Sequence, residues 1–149
     1  METLILGIGN PILSDDGVGI EIARRLKAAI PGLKVEETNE AAVVIIDYVA
    51  GYDKLIIIDS IKTGQGRPGD LYKLGLEDLG RAAVPSSAHS MDVATAFEVG
   101  RNLGCKMPES VSIYAVEVRD NACFSERCSE EVAEKIPSIV ERIIVEEKL

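Results

Sequence analysis

Apolar and polar positions along the chain alternate between two rhythms. Short, mostly apolar stretches at Thr3 to Ile8, Leu33 to Glu37, Leu55 to Ile58, Leu71 to Leu74 and Val111 to Val118 have the length of strands. Between them, apolar residues recur at helical spacing. Val18, Ile22, Leu26 and Ala29 mark a helix that starts near Gly17 and is stopped by Pro31-Gly32. Ala42 to Val49 reads as a mostly buried helix closed by the turn residues Gly51 to Asp53. Another runs from Ser90 to about Leu103, with Gly104 as its stop. Val132, Ile136, Ile139, Val140, Ile143 and Ile144 form the strongest stripe, with Ser129 as N-cap. Pro137 is expected to kink that helix or to begin its second segment.

Leu55 to Ile58 is apolar without a break, as a central parallel strand covered on both faces would be. The Gly/Pro-rich KTGQGRPGD and the stretch RAAVPSS are loops, and there is no repeat, low-complexity segment or linker. Alternating strands and helices predict an α/β fold. Residues 1–149 form a single domain, a mainly parallel twisted sheet of about five strands sandwiched between helices.

Composition narrows the function. The 149 residues carry 25 acidic and 16 basic side chains, a net charge of −9, which repels nucleic acid and anionic lipid. No apolar run approaches the roughly 20 residues that span a bilayer. Thr3 to Ile8 lacks a basic segment before it and is broken by Asn10-Pro11, so no signal peptide is expected and the protein is placed in the cytoplasm. Cys105, Cys123 and Cys128 cannot pair fully and are expected to be reduced. Cys123 and Cys128, flanking CFSERC, lack a second Cys/His pair and are ordinary loop thiols.

The chemistry concentrates in GIGNPILSDDGVG, Gly7 to Gly19. Gly7 and Gly9 follow a strand and precede a helix, and Glu36 or Glu37 ends the next strand, as in a dinucleotide site. The fingerprint nevertheless wants a third glycine where Ile12 stands. Asp15 and Asp16 also occupy the helix start where a pyrophosphate would bind. One aspartate suffices to cap a helix; two, with Ser14 beside them, leave a carboxylate to explain.

Ligands in open parallel sheets bind beyond the carboxyl ends of the strands, near the switch in strand order. Asp16 lies shortly after the first strand, and Asp59 ends the buried strand Leu55 to Ile58. If those strands are neighbours about 4.8 Å apart, both carboxylates face one crevice. His89, the only histidine, stands in SSAHSMD at a loop-to-helix junction that can reach the same edge. Two carboxylates and an imidazole can bind a divalent transition metal with positions left open. No Gly-x-Ser-x-Gly elbow or His-Glu-x-x-His pair offers another scheme, and Asp59-Ser60-Ile61 is not the aspartic-dyad motif.

LGIGNPILSDDGVG, LIIIDSIKTGQGRPG and SSAHSMD resemble the three signature segments of the nickel–iron hydrogenase maturation endopeptidases, a likeness continuing through YAVEV and the last helix. The resemblance implies an endopeptidase that removes a C-terminal peptide from a hydrogenase large-subunit precursor once nickel is installed. It implies Asp16, rather than Asp15, together with Asp59 and His89 as the metal-binding and catalytic set, with no covalent nucleophile. The nickel belongs to the precursor, and no nucleotide is implied. Either the metal as Lewis acid or a free carboxylate oxygen activates water. Asp15 is left to cap or orient the helix entry. The partner is the large-subunit precursor, with no nucleic acid and no membrane insertion, and a monomer is expected against so large a substrate. Many members have a glycine-rich turn after the second strand, where this chain has ETNEAA. The alternative is a nucleotide- or metal-binding α/β domain without hydrolysis.

Overall fold

The computed structural model describes residues 1–40, 43–78, 90–119 and 124–149. Five strands form one sheet: β1 (Thr3–Ile8), β2 (Lys34–Thr38), β3 (Lys54–Ile61), β4 (Leu71–Leu74) and β5 (Ser110–Glu117), in the order β2-β1-β3-β5-β4. All pairs are parallel except β4 with β5. The chain goes from β1 outward to β2 and then returns across β1 to β3. The strand order therefore reverses between β1 and β3, where the predicted crevice lies.

The pleat divides the core. Leu4, Leu6, Ile8, Leu55 and Ile57 face one side and pack with Val93, Ala96 and Phe97 of α3 (Ser90–Asn102). Ile5, Ile56, Ile58, Tyr114 and Val116 face the other and pack with Val18, Ile22 and Leu26 of α1 (Val18–Ala29) and Val132, Ile136 and Ile143 of α4 (Glu130–Glu147). Each fully buried Leu, Ile or Val is worth about 1.5–3 kcal/mol. A strand apolar on both faces, as β3 is, is thereby fixed in the middle layer.

Three expectations change. The helix placed over Ala42 to Val49 is a 3₁₀ turn, Val43–Ile45, followed by the single-turn α2, Ile46–Val49, with Ala42 outside the described residues. Four β-branched residues in succession from Val43 crowd a helix at χ1, which explains its brevity. Helix α4 passes through Pro137 as one element instead of starting afresh there. Strand β3 does not stop before Asp59 but runs to Ile61, because β5 continues to pair with it after β1 has left. The loop RAAVPSS lies outside the described residues.

Candidate active site

The glycines of the opening motif bring backbone onto backbone. A Cβ on Gly9 would sit 2.0 Å from the Asp16 carbonyl oxygen, and one on Gly19 would sit 2.3 Å from that of Ile58. The loop after β1 is thus folded down onto the turn bearing Asp16, and the start of α1 is pressed against the ends of β1 and β3. Ser14, at φ 49, turns the chain left-handed into the 3₁₀ turn Ser14–Gly17 that carries both aspartates.

The adjacent aspartates diverge. Asp15 is fully buried, and its carboxylate accepts hydrogen bonds from the Ser129 N–H at 2.6 Å, the Ser129 hydroxyl at 2.9 Å and the Arg119 N–H at 3.1 Å. Of the two roles expected for Asp15, a cap bond on its own helix is not found among the described residues; the carboxylate instead fastens the turn leading into α1 to the N-cap residue of α4 and to the chain leaving β5. Ser129 stands at the predicted N-cap; its side chain makes no cap bond to α4, and its hydroxyl donates to Asp15. Asp16 is half-buried and faces the sheet edge. The Asn10 N–H donates to its Oδ2 at 2.8 Å, and the Ser60 hydroxyl donates to its Oδ1 at 3.2 Å.

Asp59 is buried near the end of β3, beyond the last β1 pair, Gly7 with Ile58. The Ser60 N–H donates to Asp59 Oδ1 at 2.8 Å. Ser60 therefore touches both predicted carboxylates. His89 lies outside the described residues, immediately before α3. Among the described residues no group of three or more His, Cys, Asp and Glu is arranged to hold a metal, so the pair Asp16 and Asp59 is the part of the predicted set that the structure describes.

Sequence reasoning passed over Ser60, Asn10 and Glu117. Ser60 had a signal, a hydroxyl between the apolar run Leu55 to Ile58 and Ile61, because a buried hydroxyl needs a partner. Glu117, buried at the end of β5, had the same one. It accepts from the Thr63 N–H at 2.8 Å, the Thr63 hydroxyl, the Tyr72 hydroxyl at 3.1 Å and the Gly66 N–H at 3.3 Å, fastening the loop that follows β3. Burial alone would raise its carboxyl; the bonds from Thr63, Tyr72 and Gly66 outweigh that and hold it below the ordinary carboxylate range.

A cavity of about 360 Å³ between α1 and α4 contains neither Asp16 nor Asp59. Its Arg24 and Arg25 are paired with Glu37 and Glu21. Its Cys128 thiol is pushed up to about 11 by burial, reinforced by Asp15 and Glu21, which removes it as a nucleophile at neutral pH. Cys123 lies outside the described residues.

A doubly wound α/β domain with two aspartates, Asp16 and Asp59, at its switch point is the class this fold and site define. The sequence profile of the hydrogenase maturation proteases matches residues 22–146, a span that includes Asp59 and His89 and begins after Asp16. The chain belongs to the hydrogenase maturation protease family, and with it to the peptidases. It is 26% identical over 120 residues to the hydrogenase 2 maturation protease of Escherichia coli, covering 78% of this chain and 73% of that one. Its fold is that of the hydrogenase maturating endopeptidase HybD from E. coli, at TM-score 0.83 and 22% identity over 99% of this chain and 93% of that one. The nickel–iron hydrogenase maturation protease HybD from Thermococcus kodakarensis is similar too, at TM-score 0.78 and 24% identity over 99% and 98%. Among the described residues no helix is long and apolar enough to cross a membrane.

Proposed function

We propose that this chain is the endopeptidase that removes the C-terminal peptide of a nickel-loaded nickel–iron hydrogenase large-subunit precursor, with Asp16, Asp59 and His89 meeting the precursor's metal. The observation that carries the reading is the joint hold of Ser60 on Asp16 and Asp59 at the switch between β1 and β3. Each carboxylate oxygen has two acceptor positions. The bonds from Asn10 and Ser60 therefore orient Asp16 without exhausting it as a ligand. Carboxylate oxygens with an imidazole suit a divalent first-row metal such as nickel.

Helix α3 supports the third member. The Lys106 carbonyl, just past that helix, accepts the Gly51 N–H near the start of β3, which anchors the far end of α3 at the amino edge of the sheet. At about 1.5 Å per residue, its 13 residues reach back about 20 Å toward the carboxyl edge. The residue preceding that first turn in sequence is His89.

Nickel in the precursor would supply the recognition element and, if it acts on the water or the scissile carbonyl, a Lewis acid. This chain's residues do the rest. Asp16 and Asp59 hold fixed negative charge against the loaded centre, and a carboxylate oxygen of either can accept the proton of the attacking water and return it to the amine nitrogen as the scissile C–N bond breaks. A nickel-free precursor lacks the counter-charge and meets two unscreened carboxylates. Incubation of purified chain with nickel-loaded and nickel-free precursor, followed by intact mass, tests the proposal. Loss of a C-terminal peptide from the loaded form alone is expected; equal processing of both, or of neither, overturns it.

A further inference from the structure

Ser60 stands where the pleat of β3 separates the two carboxylates. Ile56 and Ile58 belong to the core on the α1 side, and Leu55 and Ile57 to the core on the α3 side. By alternation, Ser60 directs its side chain to the α1 side and Asp59 to the α3 side. Asp16, just ahead of α1, meets the Ser60 hydroxyl on the first of these sides, while the Ser60 N–H meets Asp59. The second bond belongs to the backbone and survives any non-proline substitution; the first belongs to the hydroxyl alone. An aliphatic residue would continue the run of Ile56, Ile57, Ile58 and Ile61 without the cost of burying an oxygen.

We infer that Ser60 is a positioning residue for the processing reaction, whose hydroxyl fixes the Asp16 carboxylate relative to Asp59 so that the precursor's metal meets a preset pair. The inference rests on the reading of Asp16 and Asp59 as metal-facing residues. Residues that orient metal ligands through a hydrogen bond are worth about 10–100-fold in affinity or activity.

The test uses the full chain with Ser60→Ala, Ser60→Thr, Asp16→Asn and the double variant Asp16→Asn/Ser60→Ala. Nickel chloride titrated into protein alone gives affinity, and loaded precursor gives kcat/KM. Ser60→Ala should weaken both by about 10–100-fold, while Ser60→Thr, which keeps the hydroxyl, should stay close to the parent. The double variant should be no worse than Asp16→Asn, because Ser60 acts only through Asp16. A merely structural role for Ser60 would instead add its own loss. Where nickel binds the chain alone too weakly to titrate, kcat/KM of Ser60→Ala against Ser60→Thr decides, because Asp16→Asn is expected to be inactive and leaves the double variant nothing further to lose in that assay. Ser60→Ala at parental level beside a dead Asp16→Asn overturns the inference and leaves the proposed function standing. Parental activity in both single variants overturns the proposed function and the inference with it.

Discussion

Ser129 and Asp15, 114 positions apart in sequence, are joined twice: the Ser129 N–H meets Asp15 Oδ1 at 2.6 Å and its hydroxyl meets Oδ2 at 2.9 Å. With the Arg119 N–H also donating, this carboxylate ties the turn after β1 to the two ends of the β5–α4 connection. Asn in its place keeps one accepting oxygen and turns an amide donor toward donors. Asp15→Asn should cost about 1–3 kcal/mol. For a domain of this size that lowers Tm by roughly 3–10 °C. Processing assayed well below Tm should remain substantial. Calorimetry with a precursor assay checks both; an unchanged Tm with abolished processing would put Asp15, not Asp16, on the metal.

Asp16 has the opposite profile. Its partners, the Asn10 N–H and the Ser60 hydroxyl, can be satisfied by an asparagine, since the hydroxyl both donates and accepts. Asp16→Asn should therefore abolish processing with a Tm close to the parent's, any lost helix-dipole benefit being only about 0.3–1 kcal/mol. Asp59→Asn should behave alike in the assay, and so should His89→Ala, because the chain has no second imidazole. Nickel titration and Tm across the three variants check this; a fully active His89→Ala removes it from the set.

The layering was legible in the sequence because its signals are local and redundant. Leu55 to Ile58 announced a strand covered on both faces, and the α1 and α4 stripes announced what covers it. The place of Asp16 and Asp59 at the sheet edge was legible because chain direction and switch point put residues there before any side chain is known. What was not legible is long-range. Nothing near Asp15 says that its oxygens serve Ser129, and nothing near Ser60 says that its hydroxyl reaches Asp16. Pairings such as these are set by how α1 and α4 settle on the sheet. The turn at Val43–Ile45 was missed for a local reason, its apolar spacing being helical while its β-branched side chains are not.

Glu117 predicts an acid limb with a definite sign. Its carboxyl is held below the ordinary value of 4.5 in the folded protein, so it contributes stability that is fully present above that value and lost as pH falls through the lower, folded one. Glu147 is depressed as well: burial would raise it, but bonds from Lys54 and Tyr114 prevail, so it shares the limb. Tm followed from pH 7 down to about pH 3 should fall most steeply below about 4.5. Glu117→Gln should be less stable than the parent at pH 7, and the gap should narrow as pH falls. A gap constant with pH would mean that Glu117 titrates normally in the folded protein.

Gly9 offers the sharpest separation of site from scaffold. Its φ is +153, a conformation L side chains rarely adopt, and its missing Cβ leaves room for the Asp16 carbonyl at what would be 2.0 Å. That neighbour is backbone and cannot swing aside. The Gly9 N–H is also pinned to the Thr38 carbonyl at 3.0 Å, so the loop cannot lift without breaking a bond to the end of β2. A methyl group at Gly9 must therefore push the Asp16 turn off the sheet edge, away from Ser60. Gly9→Ala should cost about 1–3 kcal/mol and reduce kcat/KM far beyond what the loss of folded protein explains. Gly32 is the control, being exposed, without a positive φ and with nothing within 4 Å of its would-be Cβ. Gly32→Ala should leave processing unchanged and keep or raise stability by about 0.4–1 kcal/mol. Both variants assayed at equal folded concentration give the comparison. Full activity in Gly9→Ala would mean that the position of Asp16 does not matter to processing, and the metal-facing role assigned to it would go.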